Sequence, residues 1–441
     1  MPVSHLPTLQ LSCLCVLAIW VTAGCGQPDI TVTEVTEVAA ELEKTSLTSH
    51  QPLQQEIRRI GADQELPSQL DQRTNRPTTP SSFSAKLPEL LDKQQTERIL
   101  ERLPDFFPPD GQPVSALTLE KATGFLKFYQ DKQLAARKSL DGPQDRFSWK
   151  SSDGWFIDTM YVDRSQALCG LELIAGIDQL SQGKLDPTVE SLAYSGRIIR
   201  LLAVDEHLVA RLTAVDLRHQ WLRLVALAVS HPEIERPHLE QIYQLLLTHI
   251  SQWPDERQPW VVDRAIGMQT YELIRQGYYL SLIPPDEAKR LEADGLQIIK
   301  SRAVQRYVDQ DEIFYLEVMR KIIDSNDRIY HQRIPIWQAL QQRIEKSKQT
   351  EHYPQVAVEI LLPDMQKAQE RISDDRARVE AWTMAIGHCV GNNPPNYEQN
   401  PTTGKPYELL ADDHLVEVVG LTPEQFARRV VSQKRPDNST E

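Results

Sequence analysis

Aromatic and acidic side chains are interspersed in one stretch of the chain, residues 141–166. Its members are Phe147, Trp149, Trp155, Phe156 and Tyr161, among Asp145, Asp153, Asp158 and Asp163. Aromatic rings beside carboxylates are typical of sugar-binding clefts and of acid–base sites, where an apolar wall raises the pKa of one carboxyl. Asp153 and Asp158, which flank a Trp-Phe pair, are the first catalytic candidates, and Asp163 is a third. The alternative is that the rings cap a helical core while the acids face water.

Histidines form two further candidate groups. His219 lies on the apolar stripe of a predicted helix, which indicates a buried histidine with one satisfied hydrogen bond. The second group surrounds a helix joint and contains His231, Glu233, Glu235 and His238. Zinc needs ligands that converge at about 2 Å from the metal, and spacing on a turn does not enforce such convergence. No metal and no other cofactor is therefore predicted.

Four charged residues share another predicted helix: Asp263, Arg264, Glu272 and Arg275. They could form an internal polar network, but exposed ion pairs at such spacings are common and contribute little to stability. Surface ion pairs are therefore the interpretation that we favour for this helix.

The common phosphate, hydrolase, zinc-protease and dinucleotide motifs are missing from the sequence. Gly404–Lys405 comes closest to a phosphate loop. However, Pro406 stands in place of the hydroxyl residue, and no glycine lies five positions before Gly404. The motifs therefore indicate no particular reaction.

The elements that must position these residues are helices. Between Asp186 and Gly277, apolar residues recur three or four positions apart, which predicts a succession of amphipathic helices. Asp186 is a natural N-cap, and Pro187 suits the first turn that follows it. Leu212 lies in the middle of the apolar stripe of the next helix, so we expect it to be fully buried. Because such faces must be buried against one another, the predicted fold class is all-α.

The chain divides into five predicted segments: a signal peptide (1–24), a disordered tether (25–86), a helical domain (87–390), a turn-rich end (391–420) and a charged tail (421–441). The tether is polar and too poor in apolar residues to offset its ordering entropy. The helical domain has no fixed repeat of about 34 or 40 residues, so it is either an irregular multi-helix bundle or α-solenoid-like. In the turn-rich end, Tyr407–Leu410 and Leu415–Val419 predict a small β-hairpin.

The first 24 residues have the features of an export signal. Leu9–Gly24 is an apolar run of the length of a signal-peptide core, and it is short for a membrane span. Thr22, Ala23 and Gly24 directly precede Cys25, and this pattern resembles the lipobox of bacterial lipoproteins, in which the cysteine is diacylated. Thr22 stands where Leu or Val is more common, and no Lys or Arg precedes the run. An ordinary signal peptide or an N-terminal anchor helix is the alternative.

Charge and cysteine usage narrow the function classes. The formal net charge of −14 argues against nucleic-acid binding, which requires clustered Lys and Arg.

Cys13 and Cys15 would leave with the signal, so the folded part retains Cys169 and Cys389. In an exported protein these two could form one disulfide, or both could remain free among apolar neighbours.

Three stretches occur in a suggestive order: ESLAYSGRIIRLLAVDEHLVARLTAVDL, then DRAIGMQTYELIRQG, then LLPDMQKAQERISDDRARVEAWTMAIG. A proline-rich end, NPTTGKPY at residues 400–407, follows them. Together they resemble a group of uncharacterised helical proteins of the bacterial cell envelope, over about residues 163–419. The end also resembles the tail of type II secretion pseudopilins, but without a pilin leader assembly into a pilus is not implied. The resemblance implies a helical fold and an envelope location, and it brings no catalytic residues.

These observations predict an exported, lipid-anchored, mainly helical binding or scaffolding protein of the bacterial envelope, facing the periplasm or the cell surface. Its partner would be an envelope protein or a glycan, and we favour the absence of enzymatic activity. The alternative is a glycan hydrolase that uses carboxylates of residues 141–166, and a weaker third is a secretion accessory. Two carboxylates about 5–9.5 Å apart beside aromatic rings would favour the hydrolase. A broad concave surface would favour binding.

Overall fold

The computed structural model describes residues 51–74, 79–107, 116–144, 146–283, 285–350, 354–391, 395, 397–407, 409–410 and 414–415. Within these ranges the protein is all-α apart from one short strand pair, which confirms the predicted fold class. The α-helices are α1 (Gln51–Arg59), α2 (Pro67–Thr74), α3 (Phe83–Leu90), α4 (Lys93–Phe106), α5 (Ala116–Leu140), α6 (Met160–Ser181), α7 (Leu185–Ala203), α8 (Leu208–Val229), α9 (Arg236–Ser251), α10 (Gln258–Arg275), α11 (Pro285–Ala293), α12 (Gln297–Ser325), α13 (Tyr330–Ser347) and α14 (Met365–Cys389). Short 3₁₀ turns occupy Ala62–Gln64, Ser151–Phe156 and Tyr279–Ser281, and a π-helical turn occupies Ala357–Leu361.

Several helix starts follow directly from local sequence. Before α4, the Asp92 carboxylate accepts a hydrogen bond from the Gln95 backbone N–H at 2.7 Å, and the Gln95 side chain accepts one from the Asp92 backbone at 3.2 Å. This reciprocal capping box satisfies two N–H groups that the helix itself leaves unpaired. Asp186, expected as an N-cap, lies instead in the first turn of α7, where its negative charge favours the helix dipole.

The buried apolar side chains form two clusters. One contains residues of α3 to α9 together with the C-terminal half of α14. The other contains residues of α1, α2 and α10 to α13, the π-helical turn and the start of α14. The helix α14 therefore belongs to both: Met365 and Ala368 pack in the second cluster, whereas Val379 and Ile386 pack in the first. Because one continuous helix lies in both, α14 couples the two clusters.

The prediction of a disordered tether over residues 25–86 is wrong from Gln51 onwards, and its earlier part lies outside the described residues. Residues from Gln51 onwards form α1, α2 and α3. Leu53 and Leu70 are 0% exposed and pack in the second cluster, and Phe83, also 0% exposed, packs in the first. These short helices carry few apolar residues, but tertiary contacts bury them and offset the ordering entropy that the composition suggested would prevail.

The helix α8 is buried on more than one side, which changes the expectation for Leu212. Leu212 is half-buried, packed against the second cluster, and is not fully buried as predicted. Fully enclosed positions are Trp221, Val225 and Ala228, which belong to the first cluster. A helix that is enclosed by several neighbours has no single apolar stripe, so a mid-stripe position need not be the most buried.

The predicted C-terminal hairpin is not seen as such. Two strands of two residues each, β1 (Leu409–Leu410) and β2 (His414–Leu415), pair in antiparallel fashion, whereas the prediction ran from Tyr407 to Val419. The turn formers that suggested it have another role, because residues 400–405 form a separate turn that packs on the helices.

Among the helices of the described ranges, none combines the length and apolarity that a membrane span requires.

Candidate functional site

The aromatic stretch converges on an acid that the sequence analysis did not single out. Trp149 Nε1 donates hydrogen bonds to both carboxylate oxygens of Asp205, at 3.1 and 3.2 Å. The Tyr161 hydroxyl donates to the same carboxylate at 3.4 Å, and the His207 backbone N–H does so at 2.8 Å. Asp205 lies in the joint between α7 and α8. The joint is therefore tied to the aromatic stretch by a single carboxylate.

Burial dominates the acid–base properties of this joint. Asp205 is only 4% exposed, and burial raises its pKa to about 7, although the hydrogen bonds from His207, Trp149 and Tyr161 act in the opposite direction. Burial also lowers the pKa of the His207 imidazole to about 4, and its ring lies 5.5 Å from that of Trp149. A carboxyl that keeps its proton beside aromatic rings has the property of a general acid. However, three side-chain and backbone donors already occupy it.

The acids predicted as catalytic do not share one environment. Asp158 is exposed, and it accepts a hydrogen bond at 2.9 Å from the backbone N–H of Met160, which is the first residue of α6. Burial raises the pKa of Asp153, and the charge of Asp71 raises it further while Lys150 opposes. Burial and the charge of Asp158 raise the pKa of Asp163. Asp145 lies outside the described residues.

The same stretch is also anchored to the second cluster. The Asp71 carboxylate accepts hydrogen bonds from the backbone N–H groups of Ser151 and Ser152, and Gln269 Nε2 donates to the Ser152 carbonyl at 2.8 Å. Gly154 has a φ of 55° and faces Gln269 so closely that a Cβ would lie 2.5 Å from its side-chain oxygen. These contacts are those of a cap over a helical core, which was the alternative interpretation of the aromatic rings.

The charges on α10 belong to buried networks, so the expectation of surface ion pairs is wrong for two of them. Arg264, 2% exposed, forms an ion pair with Glu65, which precedes α2. Arg275 contacts Glu272 on its own helix and reaches Asp309 at 2.7 Å and the fully buried Glu312 of α12. Burial raises the pKa of Glu312 to about 7 despite this guanidinium. Sequence spacing shows only the partners on the same helix, and here most partners lie on other elements.

Another buried acid shapes the backbone before α14. Asp311 accepts a hydrogen bond from the Tyr271 hydroxyl at 2.6 Å and from the backbone N–H groups of Val356 and Ala357 at 2.8 and 2.9 Å. Burial raises its pKa to about 6, and these three donors limit the shift. The carboxylate caps the π-helical turn that begins at Ala357.

The histidine candidates take structural positions. His219 is half-buried and shares a hydrogen bond of 3.0 Å with Arg378 of α14. The Glu235 side chain and His238 form the capping box of α9, and His238 Nε2 lies 3.1 Å from Asp186. His231 Nδ1 accepts a hydrogen bond from the Glu233 backbone N–H. Across the part of the chain that the structure describes, no group of His, Cys, Asp or Glu has the arrangement of a metal site.

The proline-rich end forms a compact turn packed against helices. The Asn400 side-chain oxygen accepts hydrogen bonds from the backbone N–H groups of Thr402 and Thr403, at 2.8 and 3.2 Å. Gly404 has a φ of 69° and approaches His331 so closely that a Cβ would lie 2.7 Å from the imidazole. The Tyr407 hydroxyl donates to Glu380 of α14 at 2.8 Å. The motif thus fixes residues 400–407 to α13 and α14.

An open groove lies between α7 and α9, with a volume of about 940 Å³. Its lining comes from one face of each helix, at helical spacing: Asp186, Val189, Glu190 and Ala193, opposite Pro237, Glu240, Gln241, Gln244 and Leu245. Each carboxylate at the rim has a basic neighbour: His238 beside Asp186, Arg137 beside Glu190, and Arg236 beside Glu240. The groove therefore combines apolar and polar lining residues, and each of its carboxylates has a basic neighbour. This groove was not predicted, although the helical spacing of its lining residues is present in the sequence.

The two cysteines of the folded part are both free. Cys169 is buried on α6, and Cys389 is exposed at the end of α14, so the disulfide considered for an exported protein is not formed.

No family model matches the chain, and no curated protein or solved structure matches it either.

Proposed function

We propose that this chain is an exported, lipid-anchored helical protein of the bacterial envelope that binds or scaffolds a partner, and that its helices form an irregular bundle. The lipobox-like run before Cys25 supports the anchor, and the resemblance of the central helices and of residues 400–407 supports the location. Both of these supports come from sequence. Cys25 lies outside the described residues.

The groove between α7 and α9 is the observation that carries the binding function. Its volume of about 940 Å³ lies at the upper end of typical ligand sites, and it is open to solvent. The apolar lining residues Val189, Ala193 and Leu245, together with Gln241 and Gln244, suit a partner helix or a glycan chain. Recognition there requires no catalytic group.

A pull-down from native envelopes tests this function. Ala193 is half-buried in the groove, so Ala193→Arg fills the groove without disturbing the core. Ala135, exposed on α5, provides the matched control Ala135→Arg. We expect the groove variant to recover its partner about tenfold less well or worse, as a loss of about 1.4 kcal/mol would produce, and the control to match the wild type. Equal recovery by both variants would remove the groove from the proposal.

The second candidate function, a glycan hydrolase, rests on the raised pKa of Asp153, two residues before the exposed Trp155, and on the raised pKa of Asp163, which the charge of Asp158 increases. A screen of the mature protein against cell-wall glycans and polysaccharides distinguishes the two functions, and Asp158→Asn is the diagnostic variant. We expect no turnover by either protein. Turnover that is lost specifically in Asp158→Asn would establish the hydrolase instead.

A further inference from the structure

Three basic side chains from consecutive helices lie within electrostatic range of one another beside the first cluster: Arg200 of α7, Arg218 of α8 and His249 of α9. Arg218 is 3% exposed and His249 is 2% exposed, whereas Arg200 is half-buried at the rim. The charges of Arg218 and Arg200 both lower the pKa of His249, and that of Arg218 also lowers the pKa of Arg200. We refer to these three residues as the basic cluster.

The basic cluster contains buried polar atoms that have no hydrogen-bond partner in the described part of the chain. They are Arg200 Nη1, Arg218 Nε and both ring nitrogens of His249. An unpaired buried donor costs about 1–3 kcal/mol, and native proteins keep few of them. The lowered pKa keeps His249 neutral, so one of its ring nitrogens donates and the other accepts. With Arg200 Nη1 and Arg218 Nε this makes three unpaired donors, which point to a group that accepts hydrogen bonds from them.

The walls of the basic cluster are built for close approach. Gly196, one turn before Arg200, faces the imidazole so closely that a Cβ would lie 3.1 Å from His249 Nε2. The His249 ring packs against Trp221 at 4.8 Å between centroids, and the Arg218 guanidinium lies 5.0 Å from the Trp253 ring. Aromatic walls exclude water and lower the local dielectric, which strengthens any charge interaction inside.

Negative charge near the basic cluster is limited. Asp375 of α14 forms an ion pair with Arg218, and Arg378 also lies close enough to lower the pKa of that carboxyl. In the described ranges no carboxylate forms an ion pair with Arg200, whose charged neighbours are Arg197 and Arg218. Buried charges are normally paired, so this arrangement leaves positive charge to be balanced.

We propose that the basic cluster holds a small inorganic anion of the chloride type, bound by Arg200, Arg218 and His249. A spherical anion accepts hydrogen bonds from several directions, which suits single N–H donors that come from three different helices. It occupies about the volume of one water molecule, so it needs no wide cavity. Arg200 is the half-buried member of the three and is the one that solvent reaches in part. The ion would fix α7, α8 and α9 to one another beside the groove.

Line broadening of the ³⁵Cl resonance on the full chain tests this proposal. We expect broadening that saturates with chloride and is reversed by bromide. Arg200→Gln should weaken the affinity about tenfold, the effect of losing one charge-assisted contact. Arg197→Gln is the matched control, because Arg197 lies on the same helix and forms an ion pair with Asp141 at 2.7 Å. It should bind as the wild type does.

Two results would overturn the proposal. One is the absence of saturable broadening with the wild type, which does not depend on any variant folding. The other is an equal loss in Arg197→Gln and Arg200→Gln, which would assign the broadening to surface charge. Circular dichroism of both variants should match that of the wild type, and a misfolded Arg200→Gln would leave the wild-type competition with bromide as the deciding measurement.

Discussion

Asp205 shows how one residue can have the properties of a catalytic acid and serve the fold instead. Its pKa of about 7 and its aromatic neighbours would suit acid catalysis. Its oxygens, however, accept hydrogen bonds from Trp149, Tyr161 and the His207 backbone, which come from two segments. Asp205 is therefore a buried carboxyl whose oxygens already accept hydrogen bonds, and its role is to connect the α7–α8 joint to the aromatic stretch.

The titration of Asp205 predicts a specific pH dependence of stability. Because its pKa is near 7 in the folded state and 3.8 in the unfolded state, the folded protein retains the proton between these values. This contribution is complete below pH 3.8 and is lost as the pH rises through about 7. Asn cannot ionise, so Asp205→Asn should remove this fall, on the order of 1 to 4 kcal/mol. Urea denaturation at pH 5 and pH 8 measures it.

Asp158→Asn is the control for this measurement. Asp158 is exposed and caps the Met160 backbone N–H, a role that Asn fills equally well. Its free energy of unfolding should differ from the wild type by less than about 0.5 kcal/mol at either pH. If Asp205→Asn showed the same pH dependence as the wild type, the carboxyl would not be buried as described.

At this scale the sequence revealed the donors but not the acceptor. The aromatic rings near Trp149 stood out by composition, whereas Asp205 is one acid in a short polar joint, 56 residues further along the chain. No periodicity links the two, because the contact is made by the packing of α6 to α8. The buried partners of Arg264 and Arg275 were hidden for the same reason.

The helices α1 and α2 lie in a segment that its composition wrongly predicted to be disordered. Residues 51–74 are mostly polar, yet Leu53, Ile57 and Leu70 are almost completely buried. Glu65 and Asp71 then fix the segment by an ion pair to Arg264 and by hydrogen bonds to Ser151 and Ser152. The apolar spacing of the long central helices was sufficient to predict all-α structure, because many residues repeat the pattern there. Two short helices offer too few repeats.

A core substitution tests whether residues 51–74 belong to the folded unit. Leu53→Ala should lower the free energy of unfolding by about 2–5 kcal/mol, because it removes buried surface and leaves a cavity. Leu134 is 55% exposed on α5, so Leu134→Ala should cost less than about 0.5 kcal/mol. Chemical denaturation of both variants provides the comparison. If Leu53→Ala cost as little as Leu134→Ala, residues 51–74 would not belong to the folded unit.

The half-buried Leu212 predicts a graded effect on α8. Leu212→Ala should cost about 1–2 kcal/mol, less than Leu53→Ala, because solvent already reaches part of the side chain. The same denaturation series measures it. A loss as large as that of Leu53→Ala would mean that Leu212 is enclosed, as its position in the sequence pattern suggested.

At the scale of the whole molecule, the proposed anchor precedes the described fold in the sequence. The described fold begins at Gln51, which leaves residues 26–50 between it and Cys25. If Cys25 is diacylated, Cys25→Ser should leave an unprocessed precursor or release the protein from the membrane fraction, because the acyl chains provide the attachment. Fractionation with metabolic lipid labelling measures this. Unchanged processing and labelling would exclude the lipid anchor.

The binding claim is tested most directly by photo-crosslinking in intact envelopes. A photoreactive residue at Gln244 faces the groove, and one at Gln130, exposed on α5, provides the matched control. We predict one dominant crosslinked species from Gln244 that is absent from Gln130 and is lost when Ala193→Arg is combined with it. Equal crosslinking from both positions, or none from Gln244 in cells that retain the protein in the envelope, would contradict the account.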